Sequence, residues 1–271
     1  MNTLYRERPT SGTVTRQLAL SSATLTEHHY RASFQLQKHS HTSSFLTFVL
    51  HGTYLEDIGS TSQECRPRTV RFLPAGELHA NRYGAETRCM HVEIQDPILD
   101  EIRQASRLRL SPGLVRAPGA TAIAARLYRE LVSADDLSAL SAQALTTELL
   151  IESCRGMDAS TRPPRWLARV DELLHDRFAE KLALQQIAQA ADVHVAHLCR
   201  EFHRHHHCTI GEFVRHLRVE RAALLLAESN RVIADIAQRV GCSDQSHLIS
   251  MFKKQMGMTP GKYRALFRRQ N

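Results

Sequence analysis

The sequence predicts an α+β chain of two domains: an N-terminal antiparallel β-barrel with helices appended, then an all-α C-terminal domain. Three observations predict this. The spacing of apolar residues changes from strand-like to helix-like near Ala120. A segment rich in Gly, Asp, Ser, Thr and Pro, Gly156–Pro164, interrupts the helical pattern and reads as a linker. Charge is also divided unevenly: residues 164–271 hold 17 Lys and Arg against 11 Asp and Glu, whereas residues 1–163 hold 18 against 17. At 271 residues, 42% apolar and 23% charged, the composition excludes disordered and fibrous classes. No run reaches the ~18 apolar residues that a membrane-spanning helix needs, so no membrane partner is expected.

In chain order, Phe34-Gln35-Leu36-Gln37 alternates, Phe45–Leu50 is a short apolar run, and Val70–Leu73 and Met90–Ile94 add two further strands. Turn residues at Gly52, Gly59-Ser60, Pro74-Ala75-Gly76 and Tyr83-Gly84 separate them, with a hairpin around Gly59. From Ala120, Ile123, Leu127 and Leu131, then Leu137, Leu140, Leu145 and Leu149, recur at helical spacings until Cys154-Arg155-Gly156. These helices either pack on the barrel or form a homodimer seam, and the two roles are compatible. Beyond the linker, Trp166, Val170, Leu173, Leu174 and Phe178 mark a helix. A longer helix is expected over Ile210–Glu228, and Thr259-Pro260 caps and opens the closing helix.

The C-terminal part repeats itself. Ile187-Ala188-Gln189 returns as Ile236-Ala237-Gln238, 49 residues later. Each triplet is followed by a turn, Ala191-Asp192-Val193 or Val240-Gly241-Cys242. A second helix then carries Leu198 and Phe202, or Leu248 and Phe252. The small Ala188 and Ala237 let the second helix cross closely, and Gly241 suits a left-handed turn residue. Two helix-turn-helix units in a basic domain point to nucleic acid. A connecting helix of about 27 Å would set the second helices, which begin near His194 and Ser243, about one DNA turn apart.

Residues 165–268 resemble the DNA-binding domain of the AraC/XylS family of bacterial transcription regulators. The match is carried by Trp166–Val170, His197–Phe202, Gly241–Leu248 (GCSDQSHL), Phe252-Lys253-Lys254 and Gly257–Arg264. The resemblance implies binding to double-stranded promoter DNA and recruitment of RNA polymerase, with activation favoured. Three positions depart from the family pattern: His207 stands where Gly is usual, Cys242 where Phe is usual, and Ser250 where Arg is usual. Specificity is therefore expected to rest more on the first recognition helix. His194, Ala196, His197 and Arg200 are the expected base readers there, with Ser243, Gln245 and Ser246 in the second unit. Arg204, Lys253 and Lys254 are expected at phosphates.

In the N-terminal part, His39-Ser40-His41 and then Pro74-Ala75-Gly76-Glu77-Leu78-His79 bring three imidazoles into one pattern, which is similar to the HxH and PxGxxH motifs of cupin barrels. His39, His41 and His79 would line an effector pocket. Either an organic ligand or a divalent metal such as Zn, Fe, Ni or Cu suits three histidines. Metal-dependent cupins usually add a Glu shortly after HxH; here the stretch is Ser43-Ser44-Phe45-Leu46, which argues against an oxygenase.

The six cysteines are scattered without a CxxC pair and are expected to be reduced thiols; Arg6, Glu7 and Arg8 do not fit a signal peptide. A cytoplasmic location is therefore expected. His203, His205, His206 and His207 read as a solvated helix end rather than a metal site.

The expected organisation is thus a sensing domain over 1–112, a helical dimerisation segment over 113–155, a linker over 156–164 and a DNA-binding domain over 165–271. No catalytic residue and no obligatory cofactor are expected. The alternatives are a cupin-type metalloenzyme with an attached DNA-binding domain, and a nonspecific architectural DNA binder.

Overall fold

The computed structural model describes residues 12–105, 111–115, 117, 119–157, 164–206 and 208–268. The chain divides into two compact units, Met1–Arg116 with Ile123–Met157, and Ala117–Ala122 with Asp158–Asn271. Residues 158–163 of the expected linker lie outside the described residues, as does His207.

The first unit contains strands β1 (Thr13–Ala19), β2 (Ala23–Tyr30), β3 (Phe34–His39), β4 (Ser44–His51), β5 (Tyr54–Ile58), β6 (Thr61–Cys65), β7 (Val70–Leu73), β8 (His79–Tyr83), β9 (Thr87–Ile94) and the short β10 (Gly113–Leu114), with helix α1 (Asp96–Ala105). All the pairings are antiparallel, in two sheets ordered β1-β2-β9-β4-β7-β10 and β3-β8-β5-β6. The expected hairpin is β5–β6, turning at Gly59. Strands β1, β2, β5, β6 and β8 and helix α1 go beyond what periodicity located. Their apolar residues are interleaved with His, Thr, Glu and Asn, and several of these polar side chains are buried: Glu27, His28, Glu56 and Asn81 are all less than a tenth exposed.

Helices α2 (Ala120–Ser133) and α3 (Ser138–Met157) take the alanine-rich stretch. They are tied to the barrel by polar contacts. The Tyr128 hydroxyl donates to Glu27 at 3.2 Å, and Arg88 donates to the same carboxylate at 2.6 Å. On α3, Gln143 accepts from the Ser21 hydroxyl at 2.9 Å. Burial pushes the Glu27 carboxyl up, but Arg88 and Arg16 outweigh it and leave the group below its usual range. Leu137 and Leu140, expected to pack on the barrel or to form a homodimer seam, are 69% and 71% exposed and so do not pack on the barrel.

The second unit is wholly helical among the described residues: α4 (Arg165–Arg177), α5 (Leu184–Ala191), α6 (Val195–His206), α7 (Ile210–Glu228), α8 (Ile233–Arg239), α9 (Gln245–Met256) and α10 (Pro260–Phe267). The expected boundaries of α7 coincide with the observed ones. Thr209 caps it in a capping box with Glu212, and Thr259 caps α10 with Pro260 in its first turn. Leu167, Val170 and Leu174 face the core from α4, while Trp166 and Leu173 pack at its margin.

Candidate functional site

The 49-residue echo is reproduced atom by atom. At the end of α5, Asp192 N–H donates to Gln189 O at 3.1 Å and Val193 N–H to Ala188 O at 3.0 Å. At the end of α8, Gly241 N–H donates to Gln238 O at 3.1 Å and Cys242 N–H to Ala237 O at 2.9 Å. Both turn residues are left-handed, Asp192 at φ 55° and Gly241 at φ 73°. Only the second needs glycine on steric grounds, because a Cβ there would lie 2.0 Å from Ala179 O. Ala188 and Ala237 are buried, as are Leu198, Phe202, Leu248 and Phe252 on the following helices. Cys242 is buried in the core position expected of it.

The outward faces of α6 and α9 are polar. Ala196, Arg200 and Arg204 are exposed on α6, and Gln245, Ser246, Lys253 and Lys254 on α9. Three expected base readers are occupied locally. His194 Nδ1 caps α6 by accepting from Ala196 N–H at 3.2 Å. The His197 ring lies 5.5 Å from Trp166 and its Nδ1 is 3.1 Å from Arg200 Nη2. Ser243 donates to the α9 cap Asp244 at 2.9 Å, and Asp244 accepts from His247 N–H at 2.8 Å. His247 itself, exposed on the same face, was not singled out from the sequence; its place one residue before Leu248, matching His197 before Leu198, is the signal that could have found it.

The histidine run corrects an expectation. His205 and His206 are only 10% and 16% exposed, so they are not a solvated helix end. His206 Nε2 lies 2.9 Å from Asp171 of α4, and its ring stacks on Phe202 with centroids 4.2 Å apart. That pairing, with its apolar bed, ties the end of α6 to α4.

In the barrel, β3 ends at His39, His41 lies in the loop before β4, and His79 opens β8. The expected two-histidine strand face is thus a strand end and a loop, but the rings still converge. Centroids of His39 and His79 are 4.2 Å apart, those of His39 and His41 4.9 Å, and those of His41 and His79 5.1 Å. One ring nitrogen of each lies within 4.8 Å of the others. Burial lowers His41 to about 4 and His79 to about 3. Both imidazoles are therefore neutral near pH 7, the form that ligates metals or accepts hydrogen bonds.

The cavity they line has a volume of about 40 Å³, far below the ~300–1,000 Å³ of sites for drug-sized ligands. It admits a metal ion with its ligands or a molecule of a few heavy atoms. The sequence did not mark the remaining polar wall. Glu56 and Arg71, both buried, form an ion pair. Asn81 Nδ2 approaches Glu56 Oε1 at 3.5 Å, and His91 bridges the Tyr30 hydroxyl and Thr47, each at 2.9 Å. Glu56, Arg71, Asn81 and His91 sit on four different strands, and Tyr30 and Thr47 on two more, so only strand register brings them together.

A family model described as a helix-turn-helix domain matches residues 187–266. The probable transcription factor PqrA of Proteus vulgaris is 38% identical over 85 residues, which cover 31% of this chain and 70% of PqrA. The chain belongs to the AraC family. Another relative in this comparison is the bifunctional transcriptional activator/DNA repair enzyme AdaA of Bacillus subtilis (strain 168), 29% identical over 113 residues, 42% of this chain and 54% of that protein. The chain spans about half the length of the first curated relatives it matches. A cupin superfamily protein from Desulfitobacterium hafniense aligns with 33% of this chain and 83% of its own, at 12% identity and a TM-score of 0.30.

Within the AraC-family unit, the departures have local consequences. Cys242 fills a buried site with less volume than the usual Phe. Ser250 is exposed on α9, so the arginine usual there is replaced by a short side chain at the surface. Among the described residues, no helix is long and apolar enough to cross a membrane.

Proposed function

We propose that this AraC-family chain is a sequence-specific DNA-binding transcription regulator, acting as an activator through RNA polymerase and controlled by a small ligand in the barrel. One observation carries the DNA-binding half: two helix-turn-helix units with the same turn hydrogen bonds, each presenting an exposed polar helix. Helix α7, 19 residues and so about 28 Å long, supports a spacing of the two units near one ~34 Å turn of DNA. In this reading Ala196, Arg200, Gln245 and Ser246 read bases, and Arg204, Lys253 and Lys254 hold phosphates. His194, His197 and Ser243 set the helix ends and orient their neighbours. Ligand binding shifts the population of DNA-competent forms. The reading places the protein in the cytoplasm and gives it no catalytic residue.

The test is DNA footprinting with full-length protein, followed by affinity measurements on the protected site and on random DNA. Arg200 is exposed, and its polar contacts among the described residues are with His197 and Glu201, so Arg200→Ala should leave the fold intact. It should cost about 1–3 kcal/mol on the specific site and much less on random DNA. Lys253→Ala should weaken both alike and reduce the salt dependence by about one counterion. Absence of any protected promoter site would overturn the regulator reading, and equal losses for Arg200→Ala on both DNAs would remove its base-reading role.

A second reading of the cavity is favoured by the convergence of His39, His41 and His79. Three imidazoles so placed fit a divalent metal such as Zn, Ni, Co or Cu. A cation held there would supply open coordination positions for a ligand. Metal analysis of untagged protein tests this: a near-stoichiometric ion that is lost in His79→Ala supports it.

A further inference from the structure

The carboxylate missing after His39-Ser40-His41 is not missing from the cavity. Glu56, on β5, lines the same space as the three imidazoles and is only 4% exposed. It is not free to ligate, because Arg71 of β7, 3% exposed, is paired with it. Arg71 is held from the other side as well, donating from Nη1 to Gln63 at 3.3 Å. If Glu56 turned to a cation at the imidazoles, Arg71 would become an unpaired buried charge beside a second positive charge. Removing one partner of a buried pair is strongly unfavourable, and a neighbouring dication makes it worse.

Asn81 supplies an independent sign of an occupant. It is 6% exposed and lines the cavity, and its Nδ2 faces Glu56. Its Oδ1 is buried with no hydrogen-bond partner among the described residues. A buried acceptor left open in this way calls for an O–H from outside the chain, which a water held beside a cation at the imidazoles would donate.

We propose that Arg71 withholds Glu56 from the imidazoles, so that a divalent cation held by His39, His41 and His79 keeps its charge and takes a small external anion as the sensed ligand. This rests on the metal reading above. Imidazole ligands bring no negative charge to a dication, and Glu56, the carboxylate lining the cavity among the described residues, is already neutralised by Arg71. A cavity of about 40 Å³ limits the anion to a few heavy atoms, the size of formate or acetate.

The test uses the full chain loaded with Co²⁺, whose visible absorption reports a change of ligand. Formate and acetate should shift the band of the wild type and saturate. In Arg71→Gln, Glu56 is released to the metal, so the anion midpoint should rise at least tenfold while Co²⁺ binds more tightly. The double variant Glu56→Gln with Arg71→Gln removes both charges and should recover the wild-type anion response. A Co²⁺-loaded wild type indifferent to millimolar formate and acetate would overturn the proposal and leave the metal reading standing. Failure of the wild type to bind Co²⁺ would overturn both. Should Arg71→Gln fail to fold, the double variant decides: Co²⁺ retained with the anion response supports the proposal, and Co²⁺ lost shows that Glu56 is itself a ligand.

Discussion

Gly241 and Asp192 occupy the same place in the two turns, yet they carry different constraints. Asp192 adopts φ 55° with room for its side chain, as Asp does more readily than most residues. Gly241 has no such room: its Cα packs against the Ala179 carbonyl. Gly241→Ala combines a strained left-handed residue with a backbone clash, and should cost about 2–4 kcal/mol. Urea unfolding followed by the fluorescence of Trp166, the single tryptophan, reads this directly in the helical unit. An unchanged midpoint would mean that the α4–α5 connection yields to the added methyl group. Asp192→Gly, by contrast, should change stability by only tenths of a kcal/mol, because glycine adopts that backbone without strain.

Helix α3 has two faces with different fates. Leu145, Leu149 and Leu150 are buried, and Ala142 and Ser153 complete the inner side. Leu140, Ala144, Thr147 and Ile151 follow one another at helical spacing on the outer side, with Leu140 71% and Ile151 38% exposed. This stripe would suit the homodimer seam expected from the sequence, with a second copy of α3 as its cover. Leu140→Glu should convert a dimeric mass in light scattering to a monomeric one. Its effect on monomer stability should stay within about 0.5 kcal/mol, since the side chain leaves no hole in the core. A wild type that is monomeric at tens of micromolar would refute the dimer.

Across the whole barrel, buried imidazoles make stability depend on acid. Burial lowers His28 and His41 to about 4 and His79 to about 3, and His91 is pushed well below its usual value. In the unfolded chain the same groups titrate near ~6.5. Between those values the unfolded state binds more protons than the folded one. Stability of the barrel should therefore be fully present above pH ~6.5 and fall progressively as pH drops toward 4 and below. The buried tyrosines Tyr30, Tyr54 and Tyr83 provide a near-ultraviolet dichroism signal for this unit, separate from Trp166 in the other. A melting temperature that stays flat from pH 7 to 4 would contradict neutral buried imidazoles.

The helical half was largely legible in the sequence because its information is local. Helix α7 runs over the residues that periodicity assigned, Thr259 caps where a hydroxyl is expected, and the triplet Ile-Ala-Gln repeats with its turns. Each of these depends on neighbours within a few residues, so composition and spacing carry it. The three histidines of the cavity were also legible, through a short motif. Their wall was not. Glu56, Asn81 and His91 come from β5, β8 and β9, with Arg71 of β7 paired to Glu56, and each looks like an ordinary polar strand residue until antiparallel register turns it inward. The same holds for Glu27, whose partners Arg88 and Tyr128 lie 61 and 101 residues away. Helical units and their caps follow from local chemistry, which the order of residues by itself determined. Which charges are buried, and which of them are already neutralised, depends on contacts between distant segments, and only the tertiary structure decided that.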